Sequence, residues 1–189
     1  MGVAGRAVDL ARGEGGHREF ERVLVSRSTR EGAIGAVQYV WLTDPDGQAR
    51  VIENVSFTVG KFENNQRIID FAVGLRCVAT ETVYLEGGIP GAGLTFQFSA
   101  ERGDPNLSAA AGDLAPAAVP YISPWLVYSY RDDRRSTRSG LAIFQDSRNP
   151  GFSDANWLVE APDRVTAGVP GSVQAELKPG QTMEFRYRL

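Results

Sequence analysis

A carboxylate set into an apolar strand face is the first group in this sequence that could do chemistry. Glu53 alternates with Val51, Val55, Phe57 and Val59, so in a strand it shares a face with four hydrophobic side chains. An inward carboxylate must find a partner or keep its proton. A structural ion pair with an arginine is one reading and acid–base catalysis is the other. His17, the only histidine, opens the alternating run His17-Arg18-Glu19-Phe20; a lone imidazole could serve as general base or hydrogen-bond donor, or it simply starts a surface strand. Glu86 stands beside the glycines of Gly87 to Gly93 (GGIPGAG). His17, Glu53 and Glu86 are therefore the catalytic candidates, with the two carboxylates able to divide acid and base roles on a sugar.

Metal chemistry is expected to be absent. One histidine and one cysteine cannot assemble a zinc site, and iron or copper would need more imidazoles. Asp44, Asp46, Asp132 and Asp133 could offer oxygens to calcium, but the ligand order of an EF-hand loop is missing and the first two read as turn formers. GGIPGAG lacks the Lys-Ser/Thr that follows a phosphate-binding loop and opens no helix. No cofactor is expected.

Sugar rings stack on aromatic faces while polar side chains bond their hydroxyls. Trp41, Trp125 and Trp157 are the tryptophans available. Trp41 on an alternating strand reads first as core. Trp157 follows the polar loop Gln145 to Pro150, so Trp41, Arg148, Asn149 and Trp157 form the substrate-binding candidates.

The elements that must position these groups are strands. Val37, Tyr39 and Trp41 share one face, the chain turns through Asp44-Pro45-Asp46-Gly47 and it returns from Val51 to Val59. Pro45 and Gly47 give that turn a mechanism. A second break at Glu63-Asn64-Asn65-Gln66 precedes Arg67 to Val78, and further strands are expected at Thr82–Leu85, Leu94–Ala100, Trp125–Tyr130, Leu141–Gln145, Trp157–Glu160, Ser172–Leu177 and Thr182–Leu189. Ser108 to Val119, broken by Gly112 and Pro116, reads as a long loop. With no sustained helical period and no repeat, the expectation is an all-β antiparallel sandwich, one domain over 1–189 with residues 1–16 flexible.

Composition narrows the partners. A chain of 189 residues with 42% hydrophobic and 23% charged residues is ordinary for a folded domain. A net charge of −3 gives no footprint for nucleic acid. Cys77 has no partner for an internal disulfide, and its neighbours Leu75 and Val78 suggest a buried thiol. The opening sixteen residues carry charges and no apolar core, so they read as neither signal peptide nor membrane span, which makes cytoplasmic the default localisation.

Ser139-Gly140-Leu141-Ala142-Ile143-Phe144, then Arg148-Asn149-Pro150 and Trp157, resembles a bacterial family known as PmoA-like or methane oxygenase. The remaining pieces fall in the same order over nearly the whole chain: His17-Arg18-Glu19-Phe20, Trp41 with Asp46-Gly47, Glu53, Arg67 to Phe71 (RIIDF), Gly87-Gly88 and Leu177 to Arg188 (LKPGQTMEFRYR). The resemblance implies a β-sandwich domain found near sugar-oxidoreduction genes rather than a copper membrane oxygenase. Two features depart from it: a His-His-Arg-Gly region would precede residue 1, and Phe96 to Phe98 lacks an expected arginine. A chain that is the later part of a larger sandwich would leave a sheet edge or face near its start for another chain to cover. The expectation is thus a protein that binds or processes a carbohydrate, or else a noncatalytic interaction module, with a homo-oligomer among its partner classes.

Overall fold

Alternation of apolar and polar residues drives this chain into strands almost throughout, and no helix occurs among the described residues. The computed structural model describes residues 2–3, 6–7, 15–43, 46–86, 93–98, 105–114, 121–132, 137–154, 156–161, 163–168, 170–171 and 174–189. Most of the segment 1–16, expected to be flexible, and most of the Gly87 to Gly93 loop lie outside them. The protein is an all-β antiparallel sandwich. Its contacts divide it into two compact units, Met1–Leu85 with Gln174–Leu189, and Glu86–Val173.

The first unit begins with β1 (Gly2–Val3), β2 (Arg6–Ala7), β3 (Gly16–Thr29), β4 (Gly32–Thr43), β5 (Gln48–Val59), β6 (Ile69–Cys77) and β7 (Val83–Glu86). The second carries β8 (Gly93–Gln97), β9 (Asn106–Ala109), β10 (Gly112–Leu114), β11 (Trp125–Asp132), β12 (Thr137–Gln145), β13 (Trp157–Ala161) and β14 (Arg164–Gly168). β15 (Gln174–Leu177) and β16 (Thr182–Arg188) then complete the first. Ser108 to Val119, read above as a loop, instead starts inside a hairpin: Gly112 pairs Ala109 and Leu114 pairs Leu107. Strands this short, built partly of Ala and Gly, carry too little β-branched or aromatic signal to be seen in sequence. Residues 115–119 lie outside the described set.

In the first unit five strands run in the order β16-β6-β5-β4-β3, beside a smaller sheet β15-β7-β1-β2. Opposed residues share a face. Phe185, Val73, Val55, Val37 and Val23 therefore form one row across the five strands, on a surface called face A here. Its β16–β6 end is core: Leu75, Cys77 and Phe185 are buried, as are Val51 on β5 and Val83, Leu85 and Leu177 of the smaller sheet. Toward β3 the same face opens, and Val23 is 56% exposed. The opposite face, B, is largely polar: Arg22 donates to Gln38 at 3.0 Å and Gln38 donates to Asn54 at 2.8 Å.

The hairpins obey local chemistry. The Gly47 N–H bonds the Thr43 carbonyl at 2.8 Å with φ +62° at the glycine, and the Thr43 hydroxyl donates to Asp46, so Asp46 is a turn former. Glu63 and Gln66 exchange backbone bonds of 3.0 and 2.9 Å around Asn64 and Asn65, both at positive φ. Two consecutive left-handed residues suit the right-handed twist of the flanking chain, and Asn tolerates them.

The second unit packs β10-β9-β11-β12 with β13-β14-β8. Leu107, Leu126, Tyr128 and Ile143 from the first sheet and Trp157, Val159, Val165 and Ala167 from the second are buried, and Phe98 stacks on Tyr128 at 3.8 Å between ring centroids.

Candidate functional site

Face A carries one cluster in which charged and aromatic groups meet. Register puts Arg18 opposite Trp41, and Phe20 opposite Tyr39; Tyr39 in turn lies opposite Glu53 and Trp41 opposite Val51. Arg18 and Glu53 thus stand two strands apart, about 10 Å, a span that an extended arginine side chain covers. Its route crosses β4, where the guanidinium lies 3.5 Å from the centre of the Tyr39 ring. Phe20 meets the other side of the cluster edge-on, 5.8 Å from Tyr39 at 75°.

Glu53 receives three donors. Arg18 Nε donates to Oε2 at 2.8 Å and Nη2 to Oε1 at 2.7 Å, and the Trp41 indole N–H donates to Oε2 at 2.7 Å. The residue is 7% exposed, so it gives up most of its hydration and regains it as a fork-shaped ion pair plus one indole bond. Oε2 accepts two of these bonds and Oε1 one, so the carboxylate is fixed as the anchor of the Arg18 guanidinium. Arg18 keeps 41% of its side chain exposed, and Phe20 is 55% exposed. The cluster is therefore a buried anion beneath an accessible cation and an accessible ring.

Other candidates lie elsewhere. His17 alternates with Arg18 and pairs Leu42, so its side chain belongs to face B. Glu86 ends β7 on the side away from buried Val83 and Leu85 and is exposed. The structure brings Trp41 to Glu53 and sets His17 on the opposite face of the same sheet. In the second unit, Arg148 is exposed and its Nε donates to Asp146 Oδ1 at 2.9 Å; the Arg148 N–H bonds the same oxygen. Asn149 is buried, its backbone joining a turn with Asp146 and Phe152. Trp157 is fully buried and donates its indole N–H to the Ser123 carbonyl at 2.8 Å. It packs as core and offers no ring face to a ligand. Asn156 braces this region, accepting from the Ser123 N–H and donating to the Phe152 carbonyl at 3.0 Å.

Sequence reasoning named Trp41 and Glu53 but passed over Arg18 and Tyr39 as site residues. The available signal was parity: Arg18 with Phe20, and Tyr39 with Trp41, each occupy alternate positions of one strand.

Beyond Glu53 the open part of face A is apolar. Phe57 lies across Gly35, where a Cβ would sit 2.4 Å from the ring; glycine here lets the aromatic lie flat against β4. Val23, Val37 and Val55 continue the surface.

The chain belongs to a family of unknown function, DUF6807, whose model matches residues 5–189. Comparison with curated proteins and with solved structures found no match.

Proposed function

We propose that this member of the DUF6807 family is a noncatalytic binding protein whose ligand is a carbohydrate held on the open part of face A. The observation that carries the reading is the Arg18–Tyr39–Trp41–Glu53 cluster. A pyranose has one apolar face and a rim of hydroxyls. The exposed Phe20 ring and Val23 suit the apolar face, and the outward N–H groups of Arg18, oriented by Glu53, suit the hydroxyl rim. Trp41 acts as a positioning residue, since its indole N–H is spent on Glu53. The placement of His17 and Glu53 on opposite faces of one sheet speaks against their sharing acid–base catalysis, which needs its groups within reach of one bond. The resemblance to the PmoA-like family points in the same chemical direction, toward sugars.

A glycan array followed by calorimetry on the full chain tests this. Binding should fall about tenfold or more in Phe20→Ala, whose exposed ring can be removed without disturbing the fold. A chain that binds no glycan, or binds equally well without the Phe20 ring, sinks the proposal.

A second reading, a protein-interaction module, draws on a different observation: the valine row runs from the core to the edge strand with no polar interruption.

A further inference from the structure

β3 is the last strand of its sheet and has β4 as its one neighbour among the described strands. A free edge of this length presents a row of unpaired backbone groups, which proteins ordinarily blunt with charges and bulges. β3 has both. Its register against β4 shifts between Phe20 and Arg22 and again between Val23 and Val25, which leaves Glu21 and Leu24 as the extra residues. One bulge lies on each side of Val23.

That placement has a consequence for self-pairing. In an antiparallel pairing of two β3 strands about a two-fold axis through Val23, residue i meets residue 46 − i of the mate. The register against β4 assigns Arg18, Phe20, Val23, Ser26 and Ser28 to face A, and His17, Glu19, Arg22, Val25, Arg27 and Thr29 to face B. The axis through Val23 then opposes Arg18 with Ser28, Phe20 with Ser26 and Val23 with itself, all on face A. It opposes His17 with Thr29 and Glu19 with Arg27 on face B. The bulged stretch 21–22 of each strand lies against 24–25 of its mate, Glu21 opposite Val25 and Arg22 opposite Leu24, and the faces agree from residue 17 to 20, at Val23 and from 26 to 29.

Charge selects the same axis. Glu19 meets Arg27 of the other copy twice, and among the described residues neither makes an ion pair within its own chain. An axis one residue earlier sets the two Arg22 guanidinium groups against each other. An axis one residue later sets Val23 of face A against Val25 of face B. An unbulged strand keeps parity at every such two-fold axis; among axes from Glu21 to Leu24 the bulges of β3 leave only those through Arg22 and Val23 with the faces in step, and charge rejects the first.

We infer that β3 is a homodimerisation edge: two copies pair their β3 strands antiparallel about Val23, joining two five-stranded blocks into one continuous sheet, with Glu19 and Arg27 fixing the register. Interfaces of this kind are isologous, the common form in symmetric dimers. The pairing leaves face A open, so it stands or falls separately from the carbohydrate reading. It also sets two face A clusters on the same side of one sheet, a bivalent arrangement that strengthens binding to clustered glycans. Edge pairing alone buries less than the roughly 800 Å² per partner of standard interfaces, so a dissociation constant in the micromolar range is expected.

Sedimentation equilibrium of the full chain from about 5 to about 200 μM, spanning that range, tests it with three variants that circular dichroism first confirms as folded. The wild type is expected to be a dimer in the upper part of the range. Arg27→Glu, which opposes two carboxylates at each end, should weaken it about tenfold or more, and Val23→Asp should do the same at the axis. The exchange Glu19→Arg with Arg27→Glu recreates opposite charges in reversed order and should restore dimerisation to within about threefold. A merely structural role for either residue would not produce that recovery. A monomeric wild type, a dimer indifferent to Arg27→Glu, or a charge-exchanged chain that stays monomeric overturns the inference.

Discussion

Two carboxylate–guanidinium pairs sit on opposite faces of the same sheet and do opposite things. On face A, Glu53 is buried and receives Arg18 and Trp41. On face B, Asp70 and Arg188 meet between β6 and β16 with Arg188 Nε donating at 2.7 Å and Nη2 at 3.0 Å, and both are half exposed or more. The bond geometry is nearly the same. What differs is the state left behind when one partner is removed: water reclaims Asp70 at once, whereas Glu53 would remain a charge against valines and aromatics. Burial, not the pair itself, decides which one the fold depends on.

The largest expected effect follows directly. Arg18→Ala should lower unfolding stability by about 2 kcal/mol, below the 3–5 kcal/mol typical of a fully buried pair because Arg18 is partly solvated. Urea denaturation measures it. The double variant Arg18→Ala with Glu53→Leu should recover most of the loss, because it removes the stranded charge and fills the space with an apolar side chain. If Arg18→Ala unfolds no more easily than Arg188→Ala, the contrast between the faces is wrong.

Much of this contrast was legible in advance, and the part that was not has a physical cause. The strands from Val37 to Val59 and the turns at 44–47 and 63–66 follow from period-two alternation and from residues that tolerate special dihedrals. The position of Glu53 on an apolar face followed from the same alternation, and so did the expectation of an arginine partner. Which arginine could not be read. Thr29 pairs Gly32 beside the β3–β4 turn; continued without interruption, that register would bring Arg18 opposite Thr43. The two bulges move it to Trp41, within reach of Glu53, and bulges have no sequence signature here. β14 escaped for another reason: RVTAG is short and ends in glycine, which weakens a strand signal. Trp157 was misjudged because a polar loop precedes it, but its own strand places it inward opposite Ala167, and burial depends on the second sheet that covers it.

A smaller effect distinguishes the covered end of face A from its open end. Tyr187 on β16 is buried, and burial pushes its phenol well above the ordinary value of 10.0. The raised value has a definite sign. Folding favours the protonated phenol, so its contribution is fully present below pH 10 and is lost as pH rises above it, where the unfolded chain ionises and the folded chain does not. Stability measured from pH 9 to pH 11 should therefore fall more steeply in the wild type than in Tyr187→Phe, which removes the titrating group and keeps the ring. Equal slopes would mean that Tyr187 is hydrated and that the covered end of face A is open as well.

The smallest effect belongs to the exposed pair, and its smallness is what the comparison requires. The hydrogen bond from Arg188 holds the Asp70 carboxyl below its ordinary value of 3.8. A lowered carboxyl contributes stability that is present above the unfolded value and is lost as pH falls through the folded one. Asp70→Asn should thus differ from the wild type only slightly at neutral pH, with the two acid-unfolding curves converging below about pH 3. Because both groups face water, added salt should shrink even that difference. The Glu53 pair should keep its contribution in the same salt, since a carboxylate beneath Tyr39 and Trp41 is largely shielded from the ions that screen Asp70. Thermal unfolding of Arg18→Ala and Asp70→Asn beside the wild type, at low and high ionic strength, reads both responses together. A salt-sensitive Glu53 pair, or a salt-insensitive Asp70 pair, would show that exposure had been assigned to the wrong face of the sheet.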